Sequence, residues 1–76
     1  EAVGRHQAGD LAAAERLYRD LLATTPHHPG ALSNLGVVVA RRDPAEAERL
    51  YAAALAADPG RADAHFNLGN LLRKQD

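Results

Sequence analysis

The chain has 76 residues, a formal net charge of −1 and no cysteine. A chain this short makes at most one small domain, burying about 60% of its unfolded surface, and disulfides are not available to reinforce it. Acidic and basic residues are interspersed without a like-charged run, which argues against nucleic-acid and membrane-surface partners. No apolar stretch approaches the roughly 20 residues that cross a bilayer.

The cysteine-free composition fits a reducing, cytoplasmic compartment. The chain opens on Glu1 with no initiator methionine and no signal peptide, so it is expected to be a piece of a longer protein. Alanine is abundant, while β-branched and aromatic residues are scarce. That balance favours helix and lets helices approach closely.

In chain order, a first helix is expected over residues 1–8. A second runs from Asp10 through Ala14, Leu17, Tyr18, Leu21 and Leu22 to a stop at Pro26, giving a helix pair over 1–25. A third starts near Pro29 and carries Leu32, Leu35, Gly36 and Val39 on one stripe. The fourth opens at Asp43, a natural N-cap, with Pro44 at the first helical position and Glu46 completing a capping box. Ala47, Leu50, Tyr51, Ala54 and Leu55 follow at helical spacing, and Pro59 ends the helix. Helices three and four make a second pair over 29–57, and a lone fifth helix spans 62–75. Connections of about 2–5 residues force neighbouring helices to be antiparallel.

Shifting the sequence by 33 lays residues 9–41 on 42–74. Asp10 then meets Asp43, Ala12 meets Ala45, and Ala14 to Tyr18 meets Ala47 to Tyr51. Leu22-Ala23 meets Leu55-Ala56, Pro26 meets Pro59, Ala31 meets Ala64, and Asn34-Leu35-Gly36 meets Asn67-Leu68-Gly69. These are 14 identities in 33 positions, too many for chance even in an alanine-rich chain. Such self-similarity marks a repeat architecture. The motifs are Leu32-x2-Leu35-Gly36-x2-Val39, Ala47-x3-Tyr51 and Pro59, with Ala14-x3-Tyr18 and Pro26 before them and His65-x2-Leu68-Gly69-x2-Leu72 after. This pattern resembles the tetratricopeptide repeat (TPR) family, whose helix pairs repeat about every 34 residues. Residues 1–8 depart most, having no Leu-Gly pair. The resemblance implies an all-α fold: TPR-type antiparallel helix pairs stacked into a right-handed α-solenoid, with about two and a half repeats and five helices.

Gly36 and Gly69 lie on the buried stripe, where a helical glycine costs about 1 kcal/mol relative to alanine. Close approach of a facing helix, at Tyr51 for Gly36, would offset that cost. On the opposite side of the third helix lie Gly30, Asn34, Val37 and Arg41, with Ser33 at the margin. The equivalent side of the fifth helix holds Asp63, Asn67, Asn70 and Lys74, with Phe66 and Arg73 at its margins. The resemblance implies that this side becomes the concave groove of the solenoid.

A side-chain amide both donates and accepts, so Asn34 and Asn67, one repeat apart, could hold an extended peptide largely independently of its sequence. This is similar to the asparagine ladder in the TPR arrays of O-linked N-acetylglucosamine transferases. The basic residues of a carboxylate clamp are not matched, since Gly30 and Asp63 stand where lysine is wanted. The plainer alternative is that both asparagines are solvated surface residues copied by duplication. The expected peptide-binding set is Asn34, Val37, Arg41, Asn67, Asn70, Lys74 and Phe66. Phe66 either anchors a ligand side chain or packs on a partner helix. Arg41, Arg73 and Lys74 either pair with acidic ligand groups or are solvated charges at helix C-termini.

His6, His27, His28 and His65 lack the i,i+3 or i,i+4 spacing of a helical metal site, so no metal or cofactor is expected. No nucleophile elbow, phosphate loop, zinc-protease or dinucleotide motif occurs, and Asp20 and Glu48 look like outward helix charges. The chain is therefore expected to be non-catalytic and to scaffold a protein or peptide partner. Two alternatives stay open. One is a targeting arm of a larger enzyme, as bacterial glycosyltransferases and methyltransferases often carry. The other is self-association, as a homodimer or by helix swapping through exposed terminal helices.

Overall fold

The computed structural model describes residues 8–75. They form four helices and, among the described residues, no strand: α1 (Ala8–Thr24), α2 (Pro29–Val39), α3 (Pro44–Ala57) and α4 (Ala62–Gln75). The connections 25–28, 40–43 and 58–61 are short, and each helix packs against the next, while α2 also touches α4. The helix expected over residues 1–8 lies outside the described residues, apart from Ala8, which begins α1. That helix begins two residues before Asp10, which sits in its first turn.

The helix ends follow local chemistry. Asp43 caps α3 by accepting from the Glu46 N–H at 3.1 Å, with Pro44 directly after it. The expected capping box is only half made. The Asp43 N–H already donates to the Val39 carbonyl at 2.8 Å, which leaves the Glu46 carboxylate free to accept from Arg19 across the helix pair. Helix α2 has an unexpected cap: His28 Nδ1 accepts from the Ala31 N–H at 3.0 Å. At the end of α3, Asp58 donates its N–H to the Ala54 carbonyl before Pro59 stops the helix.

The core runs along the α2–α3 seam. Leu35, Val39, Ala47, Tyr51 and Leu71 form one buried cluster, with Tyr18, Leu22, Val38, Ala40, Leu50 and Leu68 packed partly buried around it. Leu32, Ala54 and Ala64 form a second, joined to the first through Leu22 and Leu50. The expected stripe of α2 is thus buried, and the reason for its glycine is visible. A Cβ on Gly36 would stand 2.5 Å from Tyr51 Cε1, so the bare backbone makes room for the ring.

Two expectations need correction. Gly30 and Ser33 were placed on or beside the open side of α2, yet both are buried. Because α2 packs against α1, α3 and α4, only Asn34 and Val37 of the helix stay exposed. Gly69 was placed on a buried stripe, yet it is exposed, and a Cβ there would meet nothing within 4 Å. Among the described residues, no helix faces it. Leu17 and Leu21 of α1 are likewise 64% and 38% exposed.

Candidate functional site

Side chains from three helices line an open hollow of about 230 Å3: Val37 and Ala40 from the end of α2, Tyr51 from α3, and Asn67, Asn70, Leu71 and Lys74 from α4. The helical spacing explains the α4 contribution, because residues 67, 70, 71 and 74 fall on one face at i, i+3, i+4 and i+7. Tyr51, Leu71, Ala40 and Val37 give the hollow an apolar lining, and the two amides and the ammonium group supply its polar groups. Tyr51 is only 3% exposed, and burial pushes its hydroxyl above the usual tyrosine range, so it is a neutral wall at neutral pH. Asn70 Oδ1 accepts a hydrogen bond from Arg73. That bond occupies one of the two lone pairs of Asn70 Oδ1, while both ends of Asn67 remain without a side-chain partner among the hydrogen bonds of the described residues.

Four of the seven residues expected to bind a peptide therefore meet here: Val37, Asn67, Asn70 and Lys74. Asn34 is exposed on α2, one turn before Val37, and is not among the lining residues. Arg41 lies elsewhere, lining a second hollow of about 260 Å3 with Leu11, Ala12, Glu15, Val38 and Arg42. Phe66 is 68% exposed and lines a third, with His65, Gly69, Asn70 and Arg73. A 100° wheel puts Arg41 beside Asn34 and Val37, but α2 ends at Val39 and the turn carries Arg41 toward α1. His65 is exposed, its Nε2 2.8 Å from the Pro59 carbonyl.

Sequence reading missed a charged cluster that ties α1 to the second helix pair. Glu15 accepts from Arg42 at 2.9 Å and from Arg19 at 2.9 Å, and Arg19 also reaches Glu46 at 3.0 Å. The hydrogen bonds from Arg42 and then Arg19 hold the Glu15 carboxyl at a pKa of about 2, against an ordinary 4.5. The i,i+4 spacing of Glu15 and Arg19 was a visible signal. The contacts to Arg42 and Glu46, 27 residues away, were not.

None of the described helices is long and apolar enough to cross a membrane. Neither the curated proteins nor the solved structures gave a match to the chain. A family model described as Tetratricopeptide repeat matches residues 5–42 and again residues 37–76. The two matches overlap and together take in the whole 33-residue duplication, the buried Leu35-Gly36 pair and the Tyr51 ring that packs on it, and the chain belongs to the tetratricopeptide repeat family.

Proposed function

We propose that the hollow between α2 and α4 binds an extended segment of a partner protein. Repeats of this family generally mediate protein–protein interaction and are generally non-catalytic modules. The observation that carries the reading here is the grouping of Asn67, Asn70 and Lys74 over the apolar lining of Val37, Tyr51 and Leu71. Amides pair with a peptide backbone, which presents alternating donors and acceptors. The lining takes an aliphatic side chain, and Lys74 favours an acidic group beside it. Asn34, one repeat before Asn67, extends the amide row along α2, as in a concave TPR groove. Arg41 and Phe66 have no part in this reading.

The test is an amide chemical-shift titration of the labelled chain with unstructured peptides that pair an aliphatic residue with an acidic one. Shifts should concentrate at Val37, Asn67, Asn70 and Lys74. Asn67→Ala should weaken binding roughly fivefold, the worth of about one hydrogen bond. Lys74→Glu should weaken acidic peptides roughly two- to fivefold, as expected for an exposed charge pair. Shifts confined to other surfaces, or affinities unmoved by both substitutions, would refute the proposal.

A further inference from the structure

Two histidines beside the connections 25–28 and 58–61 make opposite demands on their rings. His28 precedes α2, and its Nδ1 accepts from the Ala31 N–H at 3.0 Å. His65, in the first turn of α4, places its Nε2 2.8 Å from the Pro59 carbonyl. A carbonyl oxygen only accepts, so that ring donates. An imidazolium carries a proton on both nitrogens and accepts from nothing. Acid therefore leaves the His65 contact intact and abolishes the His28 cap.

A second positive charge is poorly placed at His28. A Cβ on Gly30 would lie 3.1 Å from His28 Cε1 and 3.2 Å from Arg61 Nη2, so the imidazole and the guanidinium meet over the same glycine. Arg61 is paired with Asp63, Nε to Oδ1 at 2.9 Å. The Asp58 carboxylate is turned into its own loop, where it accepts from the Gly60 N–H at 3.3 Å. The last turn of α1, Leu21 to Thr24, carries no charge. His27, directly before His28, is a second ring that gains charge in acid, and the start of a helix is the positive end of its dipole. The turn that His28 caps leads into the core: Leu32 donates its N–H to the His28 carbonyl at 3.0 Å and packs with Ala54 and Ala64.

We propose that His28 is a pH-sensitive clasp at the start of the α2–α4 seam. With the ring neutral, Nδ1 caps α2 and Gly30 stays under Arg61. With the ring protonated, the Ala31 N–H loses its acceptor, an imidazolium faces a guanidinium, and the first turn of α2 loosens from α4. Histidine is the side chain whose charge ordinarily changes between pH 5 and 8. Only the neutral ring makes the cap, so the native fold disfavours the proton. What the cap adds to stability is therefore complete near pH 8 and is lost as pH falls toward 5. The hollow at Val37 and Asn67 lies at the other end of the same seam, so the clasp steadies one wall of it against the other.

His28→Asn is the comparison that isolates the switch, because asparagine is a preferred N-cap with no proton to gain. Proton–nitrogen correlation spectra of the wild-type rings at pH 8 should show His28 with its proton on Nε2 and a bare Nδ1. A proton on Nδ1 at that pH overturns the proposal. Amide exchange at Ala31 is then read as the ratio of wild type to His28→Asn at each pH, which cancels the intrinsic pH dependence of exchange. The ratio should be near one at pH 8 and roughly fivefold higher at pH 5, the worth of about one cap. A ratio that stays flat from pH 8 to pH 5 refutes the clasp. His65→Gln should leave the acid rise at Ala31 in place. If the rise disappears in that variant, the acid response belongs to α4 and the assignment to His28 is wrong.

Discussion

Gly36→Ala is the sharpest test of the packing described here, because the same substitution at Gly69 is its internal control. At Gly36 the new methyl carbon would lie 2.5 Å from Tyr51 Cε1 and 2.9 Å from Cδ1 and Cζ. The ring cannot swing aside, since it is held in the cluster with Leu35, Val39, Ala47 and Leu71. Overpacking of this kind costs about 1–3 kcal/mol, and alanine returns about 1 kcal/mol of helix propensity. The net effect is a destabilisation of up to about 2 kcal/mol, a fall in Tm of as much as roughly 8–16 °C for a domain this small. At Gly69 only the propensity gain remains, so Gly69→Ala should stabilise by about 1 kcal/mol. Urea unfolding followed by helical circular dichroism, at concentrations too low for association, measures both. A double-mutant cycle with Tyr51→Leu should show a coupling of about 1 kcal/mol or more between positions 36 and 51. If Gly36→Ala were as stabilising as Gly69→Ala, the steric account of the glycine would be wrong.

Three further outcomes follow from single contacts. Ser33 Oγ is fully buried and has no hydrogen-bond partner among the described residues, so Ser33→Ala should raise stability by about 1 kcal/mol or more in the same unfolding assay. Asp43→Ala removes the cap on the Glu46 N–H and should cost about 1 kcal/mol, with hydrogen exchange rising first at residues 45–47. The Glu15 carboxyl has a folded pKa of about 2 against an ordinary 4.5, so what ionised Glu15 adds to stability is complete above about pH 4.5 and is lost as pH falls toward 2. The Tm gap between the wild type and Glu15→Gln should therefore be widest near neutrality and close over that acidic window. A gap that is flat with pH would show that the Arg42 and Arg19 contacts contribute nothing.

The helical architecture was legible because local and periodic signals agreed. Asp43-Pro44 and Pro29 started α3 and α2 where expected, Pro26 and Pro59 followed the ends of α1 and α3, and the Gly36–Tyr51 contact was anticipated from register alone. The site was only partly legible. The wheel projection kept Val37 and Arg41 together as if α2 continued, but the helix ends between them, and a side chain past the last helical turn no longer obeys the wheel. It also could not tell that α2 is enclosed by three neighbours, which buries Gly30 and Ser33. The Glu15–Arg42–Arg19–Glu46 cluster depends on pairs far apart in sequence, so no local pattern announces it. His28 as a cap went unseen because histidine is not among the preferred N-cap residues. Its ring nitrogen does the same work of accepting an orphan N–H.

Duplication explains why the departures gather at the two ends. A copied 33-residue segment reproduces side chains but not surroundings. Tyr51 and Tyr18 follow the same Ala-Glu-Arg-Leu run, yet only Tyr51 lies between two helices of the described fold. Gly36 and Gly69 are the same residue in the same motif, yet one is sterically required and the other costs about 1 kcal/mol with no contact to offset it. In a one-dimensional stack each unit relies on its neighbours for burial, so the mismatch between identical sequence and unequal burial locates the surfaces that another helix would cover. By that criterion, α1 at Tyr18 and Leu21 and α4 at Gly69 and Leu72 are the faces left without a covering helix among the described residues. The hollow at Asn67 differs in kind: it is formed by the described residues of one chain, and only part of its polar lining is duplicated, Asn67 matching Asn34 while Asn70 stands where α2 has Val37.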